Sequence, residues 1–339
     1  HFSESYLSAG SPLQVVAGFP AGTFTGADAR LEKRYHVGNM FPVTPLTGGV
    51  TAALSALGLA ALFRRVRRGA RDEVYLGMTP GVVPAPGQPV NVGRGVVDAP
   101  VAVAFTPPPG ARPGELGVLT DATANDVDIT ASIIDLAVRG HLRIEEQGKK
   151  DWTFVQLRGR DELNPYEAHL LSALFAQGSS VTTDDLKRKS FADVLNGTRT
   201  RLYERVTKQL GWFTRNPSWV RGLAVLSGLG LIGLGVGLGL LLGLIGWGLV
   251  GLALVILGAG VLIANNRFGV RTPTGSAVLA QTKGFELYLT TAEADQIRFE
   301  EGIDIFSRYL PYAIVFGVAE RWTRVFAELA AQGRYTPAA

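Results

Sequence analysis

One stretch dominates the hydrophobic pattern. From Gly222 to Ala264 the chain runs 43 residues without an Asp, Glu, Lys, Arg or His. A bilayer core asks for about 20 apolar residues per helix, so the stretch is too long for one crossing and about right for two. Gly246, Trp247 and Gly248 supply a place to turn near the middle. A transmembrane helical hairpin over 221–264 is predicted, with Trp247 at one lipid interface and Trp219 at the other. The alternative is a helix pair buried in a soluble core. A second uncharged run, Val43 to Phe63, is 21 residues long and predicts one further transmembrane helix over 43–63.

Charge gives these segments a direction. Arg64, Arg65, Arg67, Arg68 and Arg71 follow the first span at once, and Arg215, Arg221, Arg267 and Arg271 flank the hairpin. Arginine beside a span marks the cytoplasmic side. The three spans then close into one topology: N-terminus outside, the region after the first span inside, hairpin, and a tail 265–339 inside. Within the hairpin, Gly233, Gly235, Gly237, Gly239 and Gly243 contain overlapping small-xxx-small spacings, which let helix backbones approach closely in lipid. The two legs packing on each other is one use of them; packing on another subunit or a partner's span is the other. The spans hold no ionisable residue, which argues against a pump or secondary transporter.

Between and around the spans the pattern changes. Residues 1–42 hold one strand-like run, Ser11 to Phe19, expected as the remnant of an extracytoplasmic β domain. Residues 64–113 read as a linker, basic at first and then carrying nine of the eighteen prolines, with a strand expected at Pro100–Phe105. Residues 114–220 read as a folded module. Asn125 caps a helix to about Arg139, with Ile129, Ile133 and Leu136 on one face and Gly140 as the stop. A β-hairpin follows over 141–157. Asn164-Pro-Tyr-Glu167 forms a capping box for a helix to Gln177. Thr182 and Ser190 cap two more helices, the last ending near Gly211. A helix, a two-stranded wing and three further helices suggest a winged-helix-like arrangement. In the tail, Thr290-Thr-Ala-Glu293 reads as a capping box for a helix to about Glu301. An aromatic run from Phe306 to Phe316, broken by Pro311, is expected to pack on the module or to lie on the membrane.

Composition narrows the chemistry. The chain has 339 residues, 42 of them Gly, with charged residues at 18% and a formal net charge of +4; its mean hydropathy is +0.19. Soluble domains carry roughly 25% charged residues, so this is the profile of a membrane protein. The absence of cysteine excludes disulfides, a thiol nucleophile and thiolate metal sites. His1, His36, His141 and His169 form no ligand pair, and no phosphate-loop, HExxH or GxSxG pattern is present. Glu293, Asp295, Glu300 and Glu301 read as a polar helix face. No catalytic, cofactor-binding or metal-binding residue is expected. From Asp98 to Gly211 there are 14 Lys plus Arg against 16 Asp plus Glu, a net of −2. This speaks against DNA despite Arg199, Arg201, Arg205 and Lys208 on one helix; a solvated face, or contact with anionic headgroups, explains them more simply.

Three segments carry a family resemblance: Asp126 to Glu146; Thr291-Ala-Glu-Ala-Asp295; and above all Phe306-Ser-Arg-Tyr-Leu-Pro-Tyr-Ala-Ile-Val-Phe-Gly317 with Trp322. They resemble the YciQ-like predicted membrane proteins, a bacterial family of unknown function, and the resemblance runs over roughly 10–330. It implies a signal peptide and an outer β domain ahead of the first span. The chain, which starts at His1, is expected to be a piece of a longer protein that lacks most of that domain. It also implies association with LemA-like coiled-coil membrane proteins, and no catalytic residues. The expectation is a membrane α+β protein of the bacterial inner membrane, with one transmembrane helix, a Gly-rich hairpin, a cytoplasmic winged-helix-like module and a helical tail. It would act as a non-catalytic scaffold or envelope-complex subunit, or alternatively as a transmembrane signal transducer. Its partners would be the lipid bilayer and a LemA-like protein or a second copy.

Overall fold

A computed structural model describes residues 16–20, 23, 35–69, 71–85, 87–95, 101–148, 151–159, 161–186, 189–265, 269–291 and 305–331. The predicted strand at Ser11–Phe19 lies largely outside them, and its end, residues 16–19, has no regular structure. The first elements are a single helical turn, α1 (Val37–Met40), and a long helix, α2 (Pro45–Gly69). Thr47, Thr51 and Ser55 make a buried stripe along α2. The Thr51 hydroxyl donates to the Thr47 carbonyl at 2.8 Å and the Ser55 hydroxyl to the Thr51 carbonyl at 2.7 Å. Bonds back to the same helix let hydroxyls sit in an apolar setting without an outside partner. Arg64, Arg65, Arg67 and Arg68 extend the helix beyond the predicted 43–63.

The Pro-rich segment holds more structure than expected. Strands β1 (Glu73–Tyr75) and β2 (Val92–Arg94) pair antiparallel, with Glu73 opposite Arg94. The strand predicted at Pro100–Phe105 does not form. Residues 101–104 instead lie along a later helix, where the Ala104 N–H donates to the Gly284 carbonyl at 3.1 Å. The fold then runs through α3 (Pro113–Asp121), α4 (Asp126–Val138), β3 (Leu142–Gly148), β4 (Asp151–Gln156), α5 (Pro165–Leu174), β5 (Ser180–Thr182), α6 (Thr183–Leu186) and α7 (Lys189–Glu204), which passes into a π-turn at Arg205–Gln209. Helix α4 starts at its Asn125 cap and stops at Gly140, whose φ of +79° suits glycine. Thr182 caps α6, its hydroxyl accepting the Asp185 N–H at 3.4 Å, and also ends a third strand, so the predicted two-stranded hairpin is part of a three-stranded sheet in the order β3-β4-β5. Helix α5 stops three residues short of Gln177. Helix α7 starts at Lys189, one residue before the expected cap Ser190.

The hairpin is α8 (Pro217–Gly243) and α9 (Gly251–Ile263), joined by a turn and a 3₁₀ turn at Gly248–Val250. Residues Pro45–Arg68 and Pro217–Gly243 are long and apolar enough to cross a membrane. Because α8 takes 27 residues, the apolar return leg Gly248–Ile263 is short of the usual length for a crossing. Outward-facing Leu54, Leu57, Leu229, Leu234 and Leu241 give the two long helices an apolar surface that suits lipid.

Three tail helices follow: α10 (Pro273–Thr291), α11 (Ile305–Val315) and α12 (Ala319–Ala331). Thr290 is no cap, since α10 runs through it and its hydroxyl bonds back to the Glu286 carbonyl at 2.7 Å. The rest of the helix predicted there lies outside the described residues. Pro311 does not break its run either: α11 passes through it, losing one backbone donor, and Pro311 is buried along with Tyr309 and Tyr312.

Two cores result. Ile129, Leu136, Leu142, Leu170, Leu174 and Val181 form the smaller one, around the three-stranded sheet. The larger joins α3 and α7 to the tail. Phe285 is at its centre, edge-on to Tyr309 at 5.1 Å and to Tyr312 at 5.6 Å, while Trp322 meets Phe326 at 4.9 Å. The tail is therefore built into the module.

Candidate functional site

The close contact of α8 with α9 depends on glycine. A Cβ on Gly235 would stand 2.8 Å from the Gly251 carbonyl oxygen, and one on Gly239 would stand 3.1 Å from the Gly248 carbonyl oxygen. A Cβ on Gly251 would collide with the Gly239 backbone. At Gly243 the neighbour is Met40 of α1, at 3.1 Å, so α1 is seated on the hairpin turn. At Gly233 and Gly237 a Cβ would meet nothing within 4 Å. Two residues along a helix turn through about 200°, which puts these two on the opposite face. The contact also recruits Gly228 and Gly258, which sequence reasoning passed over. The pairs Gly228/Gly235 and Gly251/Gly258 are each seven apart, the repeat that keeps one seam facing a partner helix.

The two ends of the hairpin differ. Trp247 lies at the turn end with α1, and Trp219, 62% exposed, lies in the first turn of α8. Near Trp219 are the α2 arginines. Arg64, Arg65 and Arg68 line one groove, together with Arg215 and Arg94 of β2, while Arg67 and Arg71 line a second groove with Arg271. Arg67 also stacks over Phe63, 5.2 Å from the ring centre.

Two other arginines tie the membrane helices to the module. Arg221 of α8 donates to the Ala122 carbonyl at 2.6 Å and to the Thr123 hydroxyl at 2.9 Å. Arg271, which follows α9, donates to the Leu119 and Thr120 carbonyls at 2.7 and 2.8 Å and pairs with Asp72 at 2.9 Å. These carbonyls end α3, where a guanidinium both satisfies unpaired acceptors and answers the helix dipole.

Deeper in the module is a buried charge network. The sequence holds two copies of one pattern, Arg112-Pro-Gly-Glu115 and Asn164-Pro-Tyr-Glu167. In each, proline opens the helix and the glutamate accepts the N–H of the residue before the proline, at 2.9 and 2.8 Å. Arg205 donates to Glu115 at 2.9 Å. Arg139 joins Asp135 at 2.8 Å, Asp161 at 2.7 Å and Glu167 at 2.6 Å. His141 Nε2 lies 2.6 Å from Asp161. Desolvation raises the Glu115 and Asp135 carboxyls above their ordinary range. Burial pushes Asp161 in the same direction, but hydrogen bonds from Arg139 and His141 outweigh it and hold that carboxyl low. Burial works against the Arg139 charge, and the carboxylates of Asp135, Glu167 and Asp161 more than reverse it. Every carboxylate here is engaged by a guanidinium or a backbone donor. The network locks α3, α4, α5 and the π-turn together. The second of the two boxes was legible; the first was hidden by an arginine cap inside a Pro-rich run.

Among the described residues no group of three or more His, Asp or Glu is placed to hold a metal ion. No curated protein and no solved structure matches the chain. A family model, Predicted membrane protein (DUF2207) C-terminal domain, matches residues 102–326, about two thirds of the length, and takes in the module, the hairpin and the tail through most of α12. The chain belongs to this family of predicted membrane proteins.

Proposed function

We propose that this chain is a non-catalytic scaffold subunit of a bacterial inner-membrane complex. On this reading α2, α8 and the short α9 are three passes, α1 and Trp247 lie outside, and the winged-helix-like module and the tail lie inside. One observation carries the proposal. Arg221 and Arg271 fasten the membrane ends of the hairpin to the last carbonyls of α3, so the module cannot swing freely from its anchor. A body held at a fixed height and angle to the bilayer suits a docking platform. The arginines gathered at the module end support this orientation by the positive-inside rule. The net −2 charge of 98–211 speaks against nucleic acid as the partner. A LemA-like membrane protein is the partner the sequence resemblance implies.

Two measurements test this. The chain has no native cysteine, so single probes can be introduced directly. Ser180→Cys should be labelled by an impermeant maleimide only in inverted vesicles, and Leu244→Cys only in intact cells. The reverse pattern overturns the topology. Isolation of the full-length protein from native membranes in mild detergent should retain a stoichiometric membrane partner. A protein that comes out alone and turns over a substrate overturns the scaffold.

A further inference from the structure

Arg64, Arg65 and Arg68 of α2, Arg94 of β2 and Arg215 just before α8 all line one open groove of about 800 Å³, whose single carboxylate is Glu73. The groove therefore carries a formal charge of +4 from five guanidiniums and one carboxylate. Among the described residues, none of these five arginines makes an ion pair. The second groove, on the other side of α2, is different. There Arg67, Arg71 and Arg271 face Asp72 and Asp121, and Arg271 is paired with Asp72 at 2.9 Å. The unanswered positive charge is thus collected on one side of the helix.

Flanking a span with arginine orients it, but orientation does not require a residue from a distant strand. Arg94 is brought in by the β1–β2 hairpin and anchored by a 2.7 Å bond from its Nη1 to the Arg68 carbonyl. A guanidinium has five N–H donors, so that bond leaves four available. Like charges converging from three elements repel unless an anion sits among them. The planar fork of arginine matches the oxygens of a phosphate in pairs. The groove's other walls include Ala61 and Val220, from the last apolar turns of α2 and the first turn of α8. On the membrane reading this is headgroup depth.

We propose that this groove binds a phosphate group, carried by an anionic phospholipid headgroup or free in solution. The lipid source rests on the membrane reading given above; binding of free phosphate does not. The full chain, purified in a neutral detergent, is titrated with short-chain phosphatidylglycerol, short-chain phosphatidylcholine and inorganic phosphate, with bound ligand counted by native mass spectrometry. Phosphatidylglycerol should saturate one site, phosphatidylcholine should not, and the binding should weaken with added salt. Arg94→Gln with Arg215→Gln should weaken it by about tenfold or more. Arg67→Gln with Arg71→Gln, on the other groove, should leave it unchanged. If inorganic phosphate binds the same site and displaces the lipid, the free anion is a ligand; if it does not, the headgroup is. Arg94→Lys with Arg215→Lys keeps the charge and the fold, and should retain part of the binding. Equal binding of phosphatidylcholine, or equal loss in the variants of both grooves, overturns the proposal.

Discussion

Arg271 and Asp72 are 199 positions apart and meet twice: the Arg271 guanidinium pairs with one carboxylate oxygen at 2.9 Å, and the Arg271 backbone N–H donates to the other at 2.8 Å. Both side chains are largely buried, at 12% and 17% exposure. The same guanidinium holds the last carbonyls of α3, so one side chain joins β1, the module and the chain leaving the hairpin. Arg271→Ala leaves the Asp72 carboxylate with the backbone N–H but no cation and two carbonyls without their donor, and is expected to cost about 2–4 kcal/mol. Arg271→Lys should recover only part of this, since a point charge cannot reach three acceptors. Thermal unfolding of the full chain in mild detergent reads both. In a double-mutant cycle with Asp72→Asn, the two losses should be clearly non-additive.

The glycine seam makes a second, sharper comparison. Gly251→Ala puts a methyl into the Gly239 backbone and has no flexible side chain to push aside. It should destabilise the hairpin by about 1–3 kcal/mol. Gly237→Ala meets open space, so it should be neutral or gain up to about 1 kcal/mol from helix propensity. Equal effects at the two positions would mean that the helices are not packed through this face.

How far the sequence could be read depends on the range of the signal. Helix α4 was legible because Asn125 and Gly140 are local marks at its ends. Helix α5 was legible because Asn164, Pro165 and Glu167 declare it within four residues. Helix α3 uses the same box, but Arg112 is not a usual cap residue and its surroundings looked like linker. Strands β1, β2 and β5 are three residues each, too short for alternation to show. The two helices long enough to cross a membrane were plain from charge alone, whereas the contact face of α8 was only half legible: spacing proposed five glycines, and which of them face α9 depends on where the turn at Leu244–Trp247 sets the return leg. The ties made by Arg94, Arg221 and Arg271 depend on partners far off in sequence, and no local pattern announces them.

Asp128 gives a pH dependence of defined sign. It is 2% exposed, accepts the Asn125 N–H at 2.7 Å, and desolvation pushes its carboxyl up to about 7. An unfolded chain releases this proton near pH 4. Between about pH 4 and pH 7 the folded protein therefore binds more protons than the unfolded one, and stability falls as the pH rises through that window. Glu115 and Asp135, also raised by burial, act in the same direction. Asp128→Asn keeps an acceptor for Asn125 and removes the titration. The slope of stability against pH over this window should become shallower than in the native chain. An unchanged slope would show that Asp128 titrates normally in the fold.

Arg139 is the node whose loss should be felt most. It is 12% exposed and holds Asp135, Asp161 and Glu167 together, and the Glu167 side chain is 1% exposed. Arg139→Gln leaves two buried carboxylates short of a cation: Glu167 keeps the Asn164 N–H and Arg112 at 3.7 Å. The expected cost is about 3–5 kcal/mol near neutral pH. This cost should shrink in acid. The orphaned Asp135, whose carboxyl burial already raises, can take up a proton and lose its uncompensated charge. Chemical unfolding of both proteins near pH 8 and near pH 5 should therefore show the smaller difference at the lower value. A difference independent of pH would mean that Arg139 acts through packing of its stem and not through its charge.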